Sequence, residues 1–301
     1  MKRETDNKHI AIVSTIEYNW GGSEELWAKS TPYFQIENYS ISVLKRNVDF
    51  KHNRIVELQN KGIKFIALSN TYNRLHKLCI NSYYRIRRSY YTSHSYAFEN
   101  FLKKKKPSVV IISQGVNFDG LYYGQLCIKH NIKYIIICHK AVDFYWPPKD
   151  ERKYMIDVYK SALKCYFVSN HNQNLTEEQF GFRFKNAKIV RNPMKIKPEP
   201  LIYPSTKEGF KLVMIGRLFV IDKGHDILLR VLAKEKWKKR KLSLSIVGTG
   251  PDFKGLKAMA SLLKCENIEF LGFQENVKKI WSNHHALAIP SRSEGLPLVV
   301  I

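Results

Sequence analysis

A chain of 301 residues with 44% hydrophobic content is long enough for two domains and apolar enough to bury ordinary cores, which excludes a disordered chain. No stretch approaches the ~18–20 uninterrupted apolar residues of a membrane span, so no spanning helix is expected. The 50 Lys and Arg against 26 Asp and Glu give a net charge of +24, which draws polyanions (nucleic acid, anionic lipid or a phosphorylated substrate) without choosing among them.

In chain order, the charged start from Met1 to Lys8 leads straight into an apolar run. No secretory signal is visible there, so a cytoplasmic protein is expected. Strands are predicted at residues 9–15, 40–44, 63–68, 108–113, 133–138 and 165–169. Most are apolar nearly throughout, as parallel strands covered on both faces require, and they alternate with helix-period segments. That alternation predicts an α/β fold of doubly wound, Rossmann-like parallel sheets. The cysteines Cys79, Cys127, Cys138, Cys165 and Cys265 are single and odd in number, which reads as reduced core thiols.

The loop Trp20-Gly21-Gly22-Ser23-Glu24-Glu25-Leu26-Trp27 follows the first strand and opens a helix. Paired glycines let backbone approach a ligand, and a helix start offers amides to phosphate. The same residues also read as a tight turn with Ser23 as N-cap. Residues 72–106 carry Arg74, Lys77, Arg85, Arg87, Arg88, Lys103, Lys104, Lys105 and Lys106 against one acid, Glu99. Leu75, Leu78, Cys79, Tyr83, Ile86 and Tyr90 share one helical stripe. This pattern fits a basic amphipathic helix lying peripherally on an anionic membrane surface, or a core-packed helix with a solvated basic face.

Pro193, Pro198 and Pro200, followed by Pro204 and Gly209, disfavour both helix and central strand. They divide an N-terminal domain (1–195) from a C-terminal one (209–301) through a linker at 196–208. The alternation then restarts. Strands are predicted at 211–215, 242–247, 268–271 and 286–289, and helices at 225–234, 253–263 and 277–282. The apolar face of the first helix is read as Ile227, Leu228, Val231 and Leu232. A further helix is expected to start at Pro297. Open parallel sheets bind ligands beyond the carboxyl ends of their strands, and two such sheets facing one another would form a cleft.

Three charged stations fall at those ends. Gly216-Arg217 follows one strand, Lys223-Gly224 precedes a helix, and Ser293-Glu294-Gly295-Leu296-Pro297 follows the last strand. A guanidinium offers two donors to phosphate, and an ammonium adds a mobile point charge. A loop carboxylate suits the hydroxyls of a sugar. Taken singly, each also reads as a solvated surface group.

Together, GGSEELW (21–27), GRL (216–218), DKGHDILL (222–229), IVGTGP (246–251), IEFLGF (268–273) and PSRSEGLPLVVI (290–301) resemble the retaining glycosyltransferases of family 4, which have the GT-B fold. The resemblance is dense in the second domain and thin in the first. It implies transfer of a sugar from a UDP- or GDP-sugar donor to a sugar or lipid-linked acceptor, in cell-surface polysaccharide or glycolipid synthesis. Gly21 and Gly22 would meet donor phosphate or acceptor. Gly216, Gly248 and Gly250 would shape the nucleotide pocket. Arg217 and Lys223 would hold the diphosphate, and Glu294, with Gly295 and Leu296, the transferred sugar. His139, just after a first-domain strand, matches a family histidine near the reacting carbon, and also reads as an ordinary polar residue at a strand end.

No DxD-type carboxylate pair stands at a strand end, so neither metal nor other cofactor is expected. Glu294 matches the first glutamate of the family's E-x7-E motif, whose second glutamate would follow Ile301. The chain is therefore expected to be truncated, with an incomplete second domain and doubtful activity as it stands. Other readings are another GT-B enzyme (a nucleotide-sugar epimerase or an inverting transferase) and an inactive truncated relative. A nucleic-acid binder leaves Glu294 and the ordered glycine loops unexplained. A glycoside hydrolase needs two carboxyls ~5–9 Å apart, and only one is well placed.

Overall fold

The computed structural model describes residues 8–16, 20–87, 91–194 and 200–300. The charged start through Asn7, Arg88 and Tyr90 of the basic stripe, residues 195–199 of the boundary region and Ile301 lie outside the described residues. The chain divides into two compact units, Met1–Pro193 and Met194–Ile301.

The first unit runs β1 (His9–Ser14), α1 (Gly22–Ile36), β2 (Ser40–Lys45), α2 (Asn53–Asn60), β3 (Lys64–Ala67), α3 (Arg74–Ile86), α4 (Ser93–Lys105), β4 (Val109–Gln114), α5 (Leu121–Lys129), β5 (Tyr134–Cys138), α6 (Arg152–Ser161), β6 (Lys164–Phe167), α7 (Asn170–Phe180) and β7 (Ala187–Ile189). The seven strands are parallel and ordered β3-β2-β1-β4-β5-β6-β7. Strand alternation builds two cores. Ala11, Val13, Val110, Ile112 and Ile136 point to one face, against Phe98, Leu126 and Tyr159. Ile10, Ile12, Ile41, Val43 and Ile111 point to the other, against Trp27, Ile55 and Leu58. Pro32 inside α1 lacks the amide that Ala28 would accept, and the Thr31 hydroxyl donates to that carbonyl instead at 2.7 Å.

The second unit runs β8 (Phe210–Ile215), α8 (Val220–Lys223), α9 (His225–Leu232), α10 (Glu235–Lys238), β9 (Leu242–Val247), α11 (Phe253–Leu262), β10 (Ile268–Gly272), α12 (Val277–Ser282) and β11 (Ala286–Leu287). Its four parallel strands are ordered β10-β9-β8-β11. Met214, Leu244 and Ile246 pack on Leu229, Leu232, Leu256 and Ala260, while Val213 and Val247 pack on Ile280.

Both units are therefore α/β with Rossmann-like parallel sheets, as predicted. Several local expectations change. The edge strand β7 was not predicted, because two half-buried residues flanking an exposed lysine are too short a run to carry a periodic signal. The last predicted strand shrinks to two residues, and residues 298–300 form a turn rather than a helix. The buried residues of α9 are His225, Asp226, Leu229 and Leu232, so its inner face is rotated from the one predicted. The basic segment is two helices. Thr92 starts the second, where its hydroxyl accepts from the His94 amide at 3.3 Å and its own amide donates to Ser95 Oγ at 3.2 Å. No residue of α3 is buried, which removes the core-packed reading for that helix. Four cysteines are buried, but Cys79 is exposed on α3. Burial pushes the Cys138 and Cys165 thiols up to about 12, so both stay protonated and inert. Among the described residues, no helix is long and apolar enough to cross a membrane.

Candidate active site

In the first unit the chain reverses direction across the sheet between β1 and β4, and the carboxyl ends there are where an open sheet takes ligands. The Gly115 amide after β4 donates to Thr15 Oγ1 after β1 at 2.9 Å, which ties the two loops together. Gly21 is the N-cap of α1, and Ser23 lies in its first turn rather than capping it. The capping acceptor is Glu24, whose Oε2 takes the Gly21 amide at 2.9 Å. The Glu24 carboxylate also pairs with Lys45 at the end of β2, and both side chains are fully buried. Burial raises the Glu24 carboxyl above its usual range, against the pull of the Lys45 ammonium. The Gly21-Gly22 loop is thus pinned from beneath by a buried ion pair.

His139 leaves the end of β5 and is buried. Its Nε2 lies 3.1 Å from Ser113 Oγ, while Nδ1 is buried without a partner among the described residues. Gly21, Gly22 and His139 therefore share one edge of the first sheet. Burial lowers the His139 pKa from 6.5 to about 4, so the ring is neutral at pH 7. Its unfolded form takes up a proton first as pH falls. The stability His139 contributes is therefore whole above pH 6.5 and is lost as pH drops through about 4, a change of about 3 kcal/mol. Urea unfolding of wild type and His139→Asn across that range is expected to show a shallower acid loss in the variant. Parallel curves would contradict this reading of the ring.

In the second unit three loops meet at the carboxyl ends of β8, β9 and β11, and glycines let them touch. Gly248 has φ +137°, and a Cβ there would sit 2.0 Å from the Gly216 carbonyl oxygen. Gly224 has φ +69°, and a Cβ there would sit 2.1 Å from the Pro290 carbonyl oxygen. A Cβ on Gly250 would fall 2.4 Å from the Leu218 oxygen. The Lys223 stem passes over Gly216, 3.8 Å from where its Cβ would be. Lys223 Nζ donates to Glu294 Oε1 at 2.5 Å, and Ser291 Oγ donates to the same oxygen at 2.9 Å. The Arg217 guanidinium lies over the Phe219 ring, 4.6 Å from its centroid. Leu296 is partly buried in the same loop.

Sequence reading missed what holds the Glu294 loop. Arg292 grips Asp226 through two parallel bonds of 2.7 and 2.9 Å, and the Arg292 and Ser293 amides both donate to the Asp222 carbonyl. Bonds from Arg292, then Arg230, hold the Asp226 carboxyl down at about 2. It also missed Asp252, whose Oδ2 takes the Val220 amide at 2.7 Å and joins the β9 loop to α8. His225 is fully buried, and burial lowers its pKa to about 4. Its neutral ring adds no charge beside Lys223. Glu294, Lys223 and Gly216 are thus brought together, with Gly248 and Gly250 shaping the adjoining backbone.

These loops lie in the part of the chain that one family model matches. Residues 199–301 match Glycosyl transferases group 1. The group 1 region holds every second-unit residue singled out above. A protein of Haemophilus influenzae, described as an uncharacterized glycosyltransferase, is 26% identical over 220 residues, covering 72% of this chain and 60% of the relative. The chain thus spans about three fifths of that relative's length. Among solved structures, the apo lipopolysaccharide outer core galactosyltransferase WaaB is 20% identical with TM-score 0.66, over 97% of this chain and 76% of its own. A mutant of S. aureus TarM, in complex with Fondaparinux, alpha-GlcNAc-glycerol and UDP, is 13% identical with TM-score 0.68, over 97% and 83%. Anabaena HepE in complex with UDP and glucose is 13% identical with TM-score 0.63, over 94% and 74%. At these identities the likeness establishes the fold, and that fold is GT-B.

Proposed function

We propose that this protein is a retaining, family 4 glycosyltransferase that moves a hexose from a nucleoside-diphosphate sugar to an acceptor hydroxyl, in cell-surface polysaccharide or glycolipid synthesis in the cytoplasm. The observation that carries the reading is the Lys223–Glu294 contact over Gly216, which sets a phosphate-binding cation beside a hydroxyl-binding carboxylate at one sheet edge. Cleaving the sugar–phosphate bond builds negative charge on the departing diphosphate. Lys223 and Arg217 stabilise that charge more in the transition state than in the ground state, and in this reading they do so without a metal. Glu294, with Gly295 and Leu296 beside it, orients the sugar, and Gly248 and Gly250 let backbone approach the nucleotide. On the acceptor side, the role goes to Gly21, Gly22 and His139, whose unpartnered Nδ1 awaits a hydroxyl. UDP in the HepE and TarM structures favours a UDP-sugar over a GDP-sugar.

The test is nucleotide release from a panel of UDP- and GDP-sugars by the protein, with NMR of the product's anomeric proton. Release from one donor, with its anomeric configuration kept in the product, is expected. An inverted product contradicts retention, and an epimerised free sugar identifies an epimerase.

A further inference from the structure

The loop that leaves His139 between β5 and α6 carries three consecutive exposed rings: Phe144, Tyr145 and Trp146 are 46%, 39% and 59% exposed. A single exposed ring is ordinary, but three in a row form a patch. The backbone beneath them is fixed. Gln179, buried near the end of α7, donates from Nε2 to the Val142 carbonyl at 2.8 Å and to the Tyr145 carbonyl at 3.0 Å. Its own oxygen takes Asn117 Nδ2 at 2.7 Å, so both ends of the amide are engaged. The Ala141 amide donates to Asn172 Oδ1 at 2.8 Å. The Trp146 indole donates to the Asp143 carbonyl at 3.1 Å, and Phe144 stands edge-on to Tyr145 at 4.7 Å. Pro147 and Pro148 follow, and the first disfavours helical backbone at Trp146. Rings held in this way lose little freedom on meeting a ligand.

Charge narrows the ligand. Residues 141–151 hold Asp143, Asp150 and Glu151 against Lys149 alone, a local acidic surplus in a chain of net charge +24. Acids there repel phosphates and anionic headgroups. A neutral sugar ring fits both features. Its C–H face lies against the electron-rich face of an aromatic ring, and its hydroxyls donate to a carboxylate such as Asp143, exposed beside the rings. The loop also begins at His139, whose Nδ1 is buried without a partner among the described residues. We propose that Phe144, Tyr145 and Trp146, with Asp143, form a stacking platform for an uncharged saccharide, which is the acceptor of the transfer. Its role as the acceptor site rests on the proposed function, whereas saccharide binding is tested without turnover.

Saturation-transfer difference NMR of the protein is measured with glucose, galactose, N-acetylglucosamine, maltose and lactose, and with glucuronic acid as an anionic counterpart. Expected is transfer to the ring C–H protons of at least one neutral sugar, and weaker transfer to glucuronic acid. Phe144→Ala with Trp146→Ala should weaken binding of that sugar about tenfold or more, while Trp146→Tyr, which keeps a ring, should retain it. Both positions are exposed, so Tm should stay unchanged. UDP titrated into the same proteins reads the donor site separately and should bind parent and variants equally. Its failure to bind any of them would overturn the sugar-transfer reading, and with it the acceptor role, while saccharide binding would stand. No neutral sugar bound, or binding that the double variant keeps, would overturn the platform. So would a preference for glucuronic acid, or co-sedimentation with phospholipid vesicles that the double variant loses.

Discussion

Lys223→Ala is expected to lower kcat by about 10²–10³, the cost of removing one preorganised charge that, in the proposed function, meets the leaving group. Folding should hardly notice. The ammonium and the Glu294 carboxylate are each about a quarter exposed, and a pair so placed contributes about 1 kcal/mol or less. The prediction is thus a split: turnover falls by hundreds while Tm moves by a few degrees. Arg217→Ala should act the same way, and the double variant should lose less than the product of the two, since in the proposed function both meet one diphosphate. Steady-state kinetics beside thermal unfolding measure this. Turnover within a factor of three of wild type in the double variant would contradict the assignment.

Gly224→Ala should have the largest effect on stability. Gly224 ends α8 and starts α9 in the left-handed region, which costs an alanine about 1 kcal/mol. Its new Cβ would also lie 2.1 Å from the Pro290 carbonyl, well inside contact distance, so the loop carrying Glu294 must move. Overpacking of this kind costs about 1–3 kcal/mol. A combined loss of about 3 kcal/mol lowers the Tm of a unit this size by about 10 °C or more. Gly255 is the internal control. It lies inside α11 with no atom within 4 Å of a built Cβ and no left-handed φ, so Gly255→Ala should be neutral or mildly stabilising. Equal Tm values for the two variants would contradict the packing described for Gly224.

The strands were legible because both faces of each sheet are covered. Runs such as residues 133–138 are apolar nearly throughout, and the structure moves most of their ends by only a residue or two. β7 was not legible, because an edge strand of three residues has no room for a pattern. The residues at the carboxyl ends were legible as stations, but their supports were not. Arg292 and Asp226 lie 66 positions apart, and nothing in their spacing tells a clamp from two solvated charges. Lys45 gave a signal that went unused: a lysine directly after the buried run of β2 must either reach solvent or find a carboxylate, and here it finds Glu24. The stripe on α3 was visible in sequence, but a helical period reads the same whether the face turns inward or outward, and only packing distinguishes them.

Whether the carboxyl edge of the second sheet binds a nucleoside diphosphate is measured by isothermal titration of UDP, GDP and ADP into the 301-residue chain. Arg217→Ala/Lys223→Ala is titrated alongside. Binding of one of the three is expected, UDP first, weakened at least about tenfold in the double variant. Binding that the double variant leaves unchanged, or no binding of any of the three, would contradict that expectation.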